Sequence, residues 1–160
     1  MGCGEMKRIS YITSDFETWK SEFTFKHSVV VRFSETDMFG HMNNTVPFTY
    51  FEEARIQFLY HIGMREKWFG SSNSCIPVVA DLQCDFIRQV YFEQKLNIYV
   101  KVHQIGRSSI DLHYLALNEQ NEPCFVGRGT LVQISKETGK SVPWTSEDKG
   151  KLSQTLPVID

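Results

Sequence analysis

The amino-acid sequence predicts an α+β domain in which an antiparallel β-sheet wraps around one long helix. Three observations carry this expectation. A short run rich in β-branched residues, Ser28 to Phe33, precedes a single long segment with helical apolar spacing, Val46 to Ile62. Further along, strand-like runs follow one another across tight turns, the pattern of consecutive hairpins. The helix also carries several phenylalanines, which one surrounding sheet can bury.

The elements follow in order. Ser14-Asp15-Phe16-Glu17 has the spacing of a capping box, and Phe16, Trp19 and Phe23 recur at helical intervals, so a short packing helix is expected over residues 15–23. Ser28 to Phe33 reads as a buried strand. The long helix places Phe48, Phe51, Ala54, Phe58, Leu59 and Ile62 on one broad face, with Gly63 as its stop. Pro47 suits its first turn, and a possible second capping box at Thr49 and Glu52 leaves the start between Asn44 and Thr49.

A loop with Gly70, Ser71, Ser72 and Asn73 leads to a strand from Ile76 to Ile87. Leu96, Ile98, Val100 and Val102 alternate with Asn97, Tyr99, Lys101 and His103, the signature of a strand with one buried face. Gly106-Arg107-Ser108 is a tight turn, Ser109 to Leu117 the next strand, Asn118 to Pro123 a turn, and Cys124 to Ser135 the last strand. From Thr145 onward Lys, Ser, Glu and Gly dominate, so a poorly anchored tail is expected. The expected organisation is an N-terminal extension with a short helix (1–27), one domain (28–144) and a C-terminal tail (145–160).

Composition excludes several classes of function. The 160 residues, 41% of them apolar, suffice for one domain with a real core. A net charge of −2 with interspersed signs gives no basic field for nucleic acid. No apolar run reaches the roughly 20 residues that cross a bilayer, so no membrane partner is expected. Cys3, Cys75, Cys84 and Cys124 lack both zinc-site spacing and disulfide-scaffold density, which suits reduced thiols in a cytoplasm. The Met-Gly-Cys-Gly start has Met6 where a myristoylation motif needs Ser or Thr, and reads as an ordinary beginning.

The reactive residues cluster between the first strand and the long helix. Asp37 falls where the strand has ended and the helix has not begun, so its carboxylate can sit near the unpaired N–H groups of the first helical turn. Glu35, two residues earlier, faces the opposite side of an extended chain and is the weaker candidate. Glu52 and Arg55 are spaced to pair along the helix.

The pattern D-x-x-G-H-x-N-N at Asp37–Asn44, followed by Y-F-E-E-A-R at Tyr50–Arg55, resembles the signature of hotdog-fold acyl-CoA thioesterases of the 4-hydroxybenzoyl-CoA thioesterase and YbgC/FadM-like type. The similarity runs from about Ser28 to Trp144. It implies a hotdog fold and hydrolysis of an acyl or aroyl thioester to free acid and coenzyme A. No metal or redox cofactor is implied, and the family forms homodimers or homotetramers with active sites at subunit interfaces.

The resemblance makes Asp37 the nucleophile or general base, with oxyanion donors among the backbone N–H groups of Asn44 to Val46. His41 and Asn44 join the catalytic set, Asn44 standing where the YbgC-like relatives carry a histidine. Glu52 joins it because a helix glutamate can border the site across the subunit interface. Plant acyl-carrier-protein thioesterases use an Asp-Asn-His set in a similar stretch; here Phe39 takes the Asn position and His41 is retained. Pro47 replaces a frequent tyrosine. Asn43, Thr45 and Phe48 are candidates for substrate binding, with Phe48 as the ring near the acyl pocket and Asn43 also suited to fixing the loop through backbone hydrogen bonds. Arg88 and Arg107-Ser108, with Arg128 as a further cation, suit the coenzyme A phosphates, because a Gly-Arg-Ser turn offers both a guanidinium and backbone donors. Two alternatives stay open: a thioesterase acting on acyl-carrier protein, and a non-catalytic domain that binds acyl thioesters. A hydratase would need a His and an acidic residue set against the acyl chain, and no such pair stands out.

Overall fold

A computed structural model describes residues 7–156. Cys3 and the Met-Gly-Cys-Gly start lie outside them. The elements run α1 (Phe16–Ser21), β1 (Phe25–Val30), a 3-10 turn (Phe33–Glu35), α2 (Val46–His61), α3 (Arg65–Phe69), β2 (Cys75–Phe86), β3 (Lys95–Ile105), β4 (Ser109–Leu117), β5 (Pro123–Ser135) and α4 (Ser146–Leu152). The five strands form one sheet in the order β1-β3-β4-β5-β2, with every neighbouring pair antiparallel.

Helix α2 lies against the sheet with Phe51, Ala54 and Phe58 fully buried among Ile98, Val100, Leu112 and Phe125. Each such phenylalanine stabilises the fold by about 1.5–3 kcal/mol relative to exposure. The buried face differs from the expected one at its first turn: Phe48 is left at the rim, while Val46, Pro47 and Tyr50 turn inward. The helix ends in a Schellman motif, with Met64 N–H donating to Leu59 C=O and Gly63, at φ +91°, donating to Tyr60 C=O. It starts at Val46 rather than at the Thr49–Glu52 box.

Strand β1 begins three residues before the expected span and ends at Val30. The chain turns out of the sheet because Glu35 Oε1 accepts the Arg32 N–H at 2.9 Å and closes the 3-10 turn. Residues 25–27, assigned above to the N-terminal extension, are therefore the first half of β1, paired with Val100, Tyr99 and Ile98. In α1 the capping residue is Asp15, not Ser14: its Oδ1 accepts the Thr18 N–H at 3.0 Å.

The outer face of the sheet carries a second core. Ile9, Tyr11, Trp19 and Phe23 pack on Leu115, Leu117 and Val126, so β4 is covered on both sides. The C-terminal expectation is corrected as well. Residues 145–156 are anchored: Thr145 and Asp148 form a capping box, Leu152 is fully buried, and Asp148 pairs with Lys67 on α3. Among the described residues, no helix is long and apolar enough to cross a membrane.

Candidate active site

Two segments far apart in sequence meet at one end of the sheet. The loop that follows the 3-10 turn pairs with the connection between β2 and β3: Met42 N–H donates to Val90 C=O at 2.7 Å, and His41 bridges Tyr91. Between them lies a cleft of about 400 Å³, with Asp37, His41, Asn43 and Asn44 on one wall and Phe86, Ile87, Arg88 and Gln89 on the other.

Asp37 sits in a tight reversal. Its N–H donates to His41 C=O at 2.8 Å, and its own C=O accepts from Gly40, whose φ of +77° suits a residue without Cβ. Its Oδ1 accepts the N–H groups of Phe39 at 2.8 Å and His41 at 3.2 Å. The amides that hold the carboxylate are thus those of its own turn and not, as the sequence suggested, those of the first turn of α2. Its Oδ2 has no hydrogen-bond partner among the described residues.

The other loop residues have defined tasks. Glu35 Oε1 accepts the Tyr50 hydroxyl at 2.9 Å, and its C=O accepts the Asn43 N–H at 2.7 Å, so this carboxylate ties the loop to α2. Burial, then the Glu35 hydrogen bond and charge, push the Tyr50 phenol far above its usual range. Asn43 forms the turn that leads into α2: its Oδ1 accepts both the N–H and the hydroxyl of Thr45 at 3.0 Å, and its C=O accepts the Val46 N–H at 3.0 Å. Of the three expected oxyanion donors, Thr45 and Val46 are therefore engaged. Only the Asn44 N–H has no partner among the described residues. The His41 ring meets Tyr91 edge-on at 5.2 Å.

The remaining candidates divide. Arg88 lines the cleft and pairs with Glu122 at 2.6 Å. Phe48 is 37% exposed beside the Phe51 ring, and the Thr45 hydroxyl is spent on Asn43 Oδ1. Glu52 lies outside the cleft with an exposed carboxylate 3.9 Å from Arg55. Arg107 and Ser108 sit at the other end of the sheet. Lys95 pairs with Val30 near the Asp37 loop, whereas Ile105 ends the same strand roughly 33 Å away at about 3.3 Å per residue. There Arg107 shares a groove with Lys149, Gly150 and Ser153. Arg128 is consumed by Asp111 at 2.6 Å and Asp81 at 2.9 Å. One chain therefore unites Asp37, His41, Asn43, Asn44 and Arg88, but not Glu52, Arg107 or Ser108.

Sequence reasoning missed Gln89, Val90 and Tyr91. They carry no local motif; only their long-range pairing with the loop places them. In the sequence, Phe86 and Ile87 mark only the end of a strand.

Comparisons with known proteins identify the family and the fold. Residues 31–152 match the family model of the thioesterase-like superfamily. Protein YsmA of Bacillus subtilis (strain 168) is 49% identical over 150 residues, covering 94% of this chain and 99% of its own. A thioesterase from Thermus thermophilus, solved in complex with coenzyme A and Zn, superposes with a TM-score of 0.70 at 28% identity, over 84% of this chain and 95% of that one. The PA5185 protein from Pseudomonas aeruginosa shares the fold, with a TM-score of 0.76 at 20% identity over 88% and 96% of the two chains. The chain belongs to the thioesterase-like superfamily: it has the hotdog fold, and its chemistry is thioester hydrolysis.

Proposed function

We propose that the protein hydrolyses acyl-CoA thioesters to free acid and coenzyme A, with Asp37 delivering the attack. The observation that supports this most directly is the asymmetry of the Asp37 carboxylate at the cleft wall: Oδ1 is fixed by two amides, while Oδ2 has no hydrogen-bond partner among the described residues. A carboxylate so held is positioned without being spent. Oδ2 either adds to the thioester carbonyl, expelling the coenzyme A thiolate and leaving a mixed anhydride that water cleaves, or takes a proton from the water that adds. The Asn44 N–H is the donor for the developing oxyanion, and His41, backed by Tyr91, orients the thioester.

The exposed Phe86 and Ile87 side chains suit an acyl or aroyl group, and Arg88 at the cleft suits the anionic part of coenzyme A. A thiolate leaves readily, so this reading requires no metal or redox cofactor. Edge strand β2 exposes Val79, Leu82 and Phe86, which favours a homodimer, or a tetramer built from it, that would bring Glu52 or the Arg107-Ser108 turn of one copy toward its partner's site. Unpaired Cys75, Cys84 and Cys124 favour a reducing cytoplasm.

The test is free-thiol release from short-chain, long-chain and aromatic acyl-CoAs, with Asp37→Asn beside the wild type. The amide keeps an oxygen for the Phe39 and His41 N–H groups but removes the anionic one. Turnover falling about 10²-fold or more in a folded variant is the expected result. Unchanged turnover would remove Asp37 from the mechanism. No turnover on any CoA ester would redirect the substrate to acyl-carrier protein or leave a binding domain.

A further inference from the structure

Away from the cleft, one buried side-chain polar atom among the described residues lacks a hydrogen-bond partner: Nε2 of His113. His113 lies on the outer face of β4, fully buried beneath the N-terminal segment. The indole N–H of Trp19 on α1 donates to its Nδ1 at 2.9 Å. An indole nitrogen can only donate, so Nδ1 must present a lone pair and the proton of the neutral ring resides on Nε2. That Nε2 faces Asp111 Oδ2 at 3.4 Å.

The same constraint decides what the cluster of His103, Asp111 and His113 is for. A protonated Nε2 has no lone pair to give a metal ion. The His103 ring also lies parallel to the His113 ring, 4.0 Å away at 12°, so one ion cannot lie in the plane of both. The cluster is suited to sensing a proton.

We propose that the Trp19–His113 hydrogen bond is a proton-sensitive latch that holds the N-terminal segment, residues 9–23, on the outer face of the sheet. Proton uptake converts Nδ1 from acceptor to donor. Two N–H groups then face each other, and the segment that carries Trp19 must yield.

The charged groups around the latch are accounted for. Strand β3 contributes His103 and Lys101, the latter paired with Glu22 beyond α1 and lying over the Trp19 and Phe23 rings. Strand β4 contributes Asp111, and β5 contributes Arg128, which Asp111 and Asp81 neutralise. The N-terminal segment contributes Tyr11, edge-on to His113 and bonded to Asp85 of β2. Burial is the largest influence holding the His113 imidazole below its usual range; Asp111 opposes it, while His103 and Lys101 reinforce it.

The sign follows. Released from the segment, His113 sheds the burial that lowers it most and moves back toward the ordinary 6.5, whereas docked it is lower. Above the released-state value neither state binds the proton and docking is unaffected. Below it the released state gains protons first, so docking weakens about 10-fold per pH unit until the docked value is reached.

The experiment uses the full chain. Imidazole ¹⁵N spectra read the His113 tautomer, and hydrogen exchange over residues 9–23, corrected for intrinsic rates, reads docking between about pH 7.5 and 5. The wild type is expected to show the Nε2–H tautomer at neutral pH and to lose protection about 10-fold per unit once the pH falls below the released-state value. In His113→Asn the amide oxygen takes the place of Nδ1 and accepts from Trp19 at every pH, so protection becomes flat. An Nδ1–H tautomer, flat protection in the wild type, or the same acid loss in the asparagine variant would each overturn the latch. The tautomer is read in the wild type, so the test stands even if the variant does not fold.

Discussion

Gly127 on β5 lies directly against the ring of Phe51 on α2. A Cβ at position 127 would stand 2.4 Å from the ring and 2.6 Å from the Gln83 carbonyl oxygen on the neighbouring strand. The first contact belongs to a side chain packed at zero exposure between Tyr114 and Phe125, and the second to backbone, so neither can move cheaply. Gly127→Ala should therefore destabilise the protein by about 3 kcal/mol or more through overpacking. Urea unfolding should show a lower midpoint with an unchanged slope.

Asn43 connects the reactive loop to α2. Its side chain and carbonyl satisfy the Thr45 and Val46 N–H groups, and its own N–H is held by Glu35. Asn43→Ala should cost about 1 kcal/mol in stability, as the loss of a side-chain hydrogen bond does, while Asn43→Asp should recover most of it. Turnover should fall further in the alanine variant than stability alone explains, because the Asn44 N–H would lose its fixed direction. Thermal unfolding and thiol-release kinetics on the same preparations separate the two effects.

Arg88 stands at the cleft with its guanidinium half-exposed and paired to Glu122. If it receives the anionic end of coenzyme A, Arg88→Ala raises KM about 10-fold or more and leaves kcat nearly unchanged, the pattern of binding lost equally from ground and transition states. A fall in kcat alone would instead place Arg88 near the reacting carbonyl. Glu122→Gln should lower KM by releasing the guanidinium.

Asp148 gives the C-terminal helix an acid-sensitive anchor. Burial alone would raise its pKa, but the hydrogen bonds from Lys67 and Thr145 prevail and hold it below the ordinary carboxylate value of 3.8. Because the folded value is the depressed one, this contribution is fully present above about pH 4 and is lost as pH falls toward the folded value. The wild type should therefore lose stability in that window, and Asp148→Asn should lower stability at neutral pH while flattening the acid slope. Chemical denaturation between about pH 2.5 and 7 measures both.

The sheet and the long helix were legible because their signals are local. Strand β4 was expected at its observed bounds, and β5 and α2 came within one residue, since alternation, turn residues and Gly63 act on immediate neighbours. The tail was misjudged because a single buried leucine and one capping pair do not stand out in a lysine-rich stretch. The outer-face core left only a faint trace, the apolar run Tyr114–Leu117 at the end of β4, which is what a strand covered on both sides shows.

The site was legible in half. The loop from Asp37 to Asn44 forms its wall through contacts among adjacent residues, and the motif reports it. The opposite wall, Phe86 to Gln89, is brought by pairing that no local pattern encodes. The motif also could not reveal that Asn43 consumes two of the three supposed oxyanion donors, because one depends on its side-chain rotamer and the other on the local backbone turn.

The strand order has a kinetic consequence. Phe25 pairs with Val100, and Phe86 with Phe125, so both outer strands join the sheet through contacts distant in sequence, whereas the β3-β4-β5 meander closes through short turns. Chains of this topology fold slowly, with local hairpins ahead of the non-local closures. The cleft needs both outer strands, one delivering the Asp37 loop and the other Phe86 to Gln89. It is therefore a late product of folding, and during refolding activity should return only after most of the far-ultraviolet signal has been recovered.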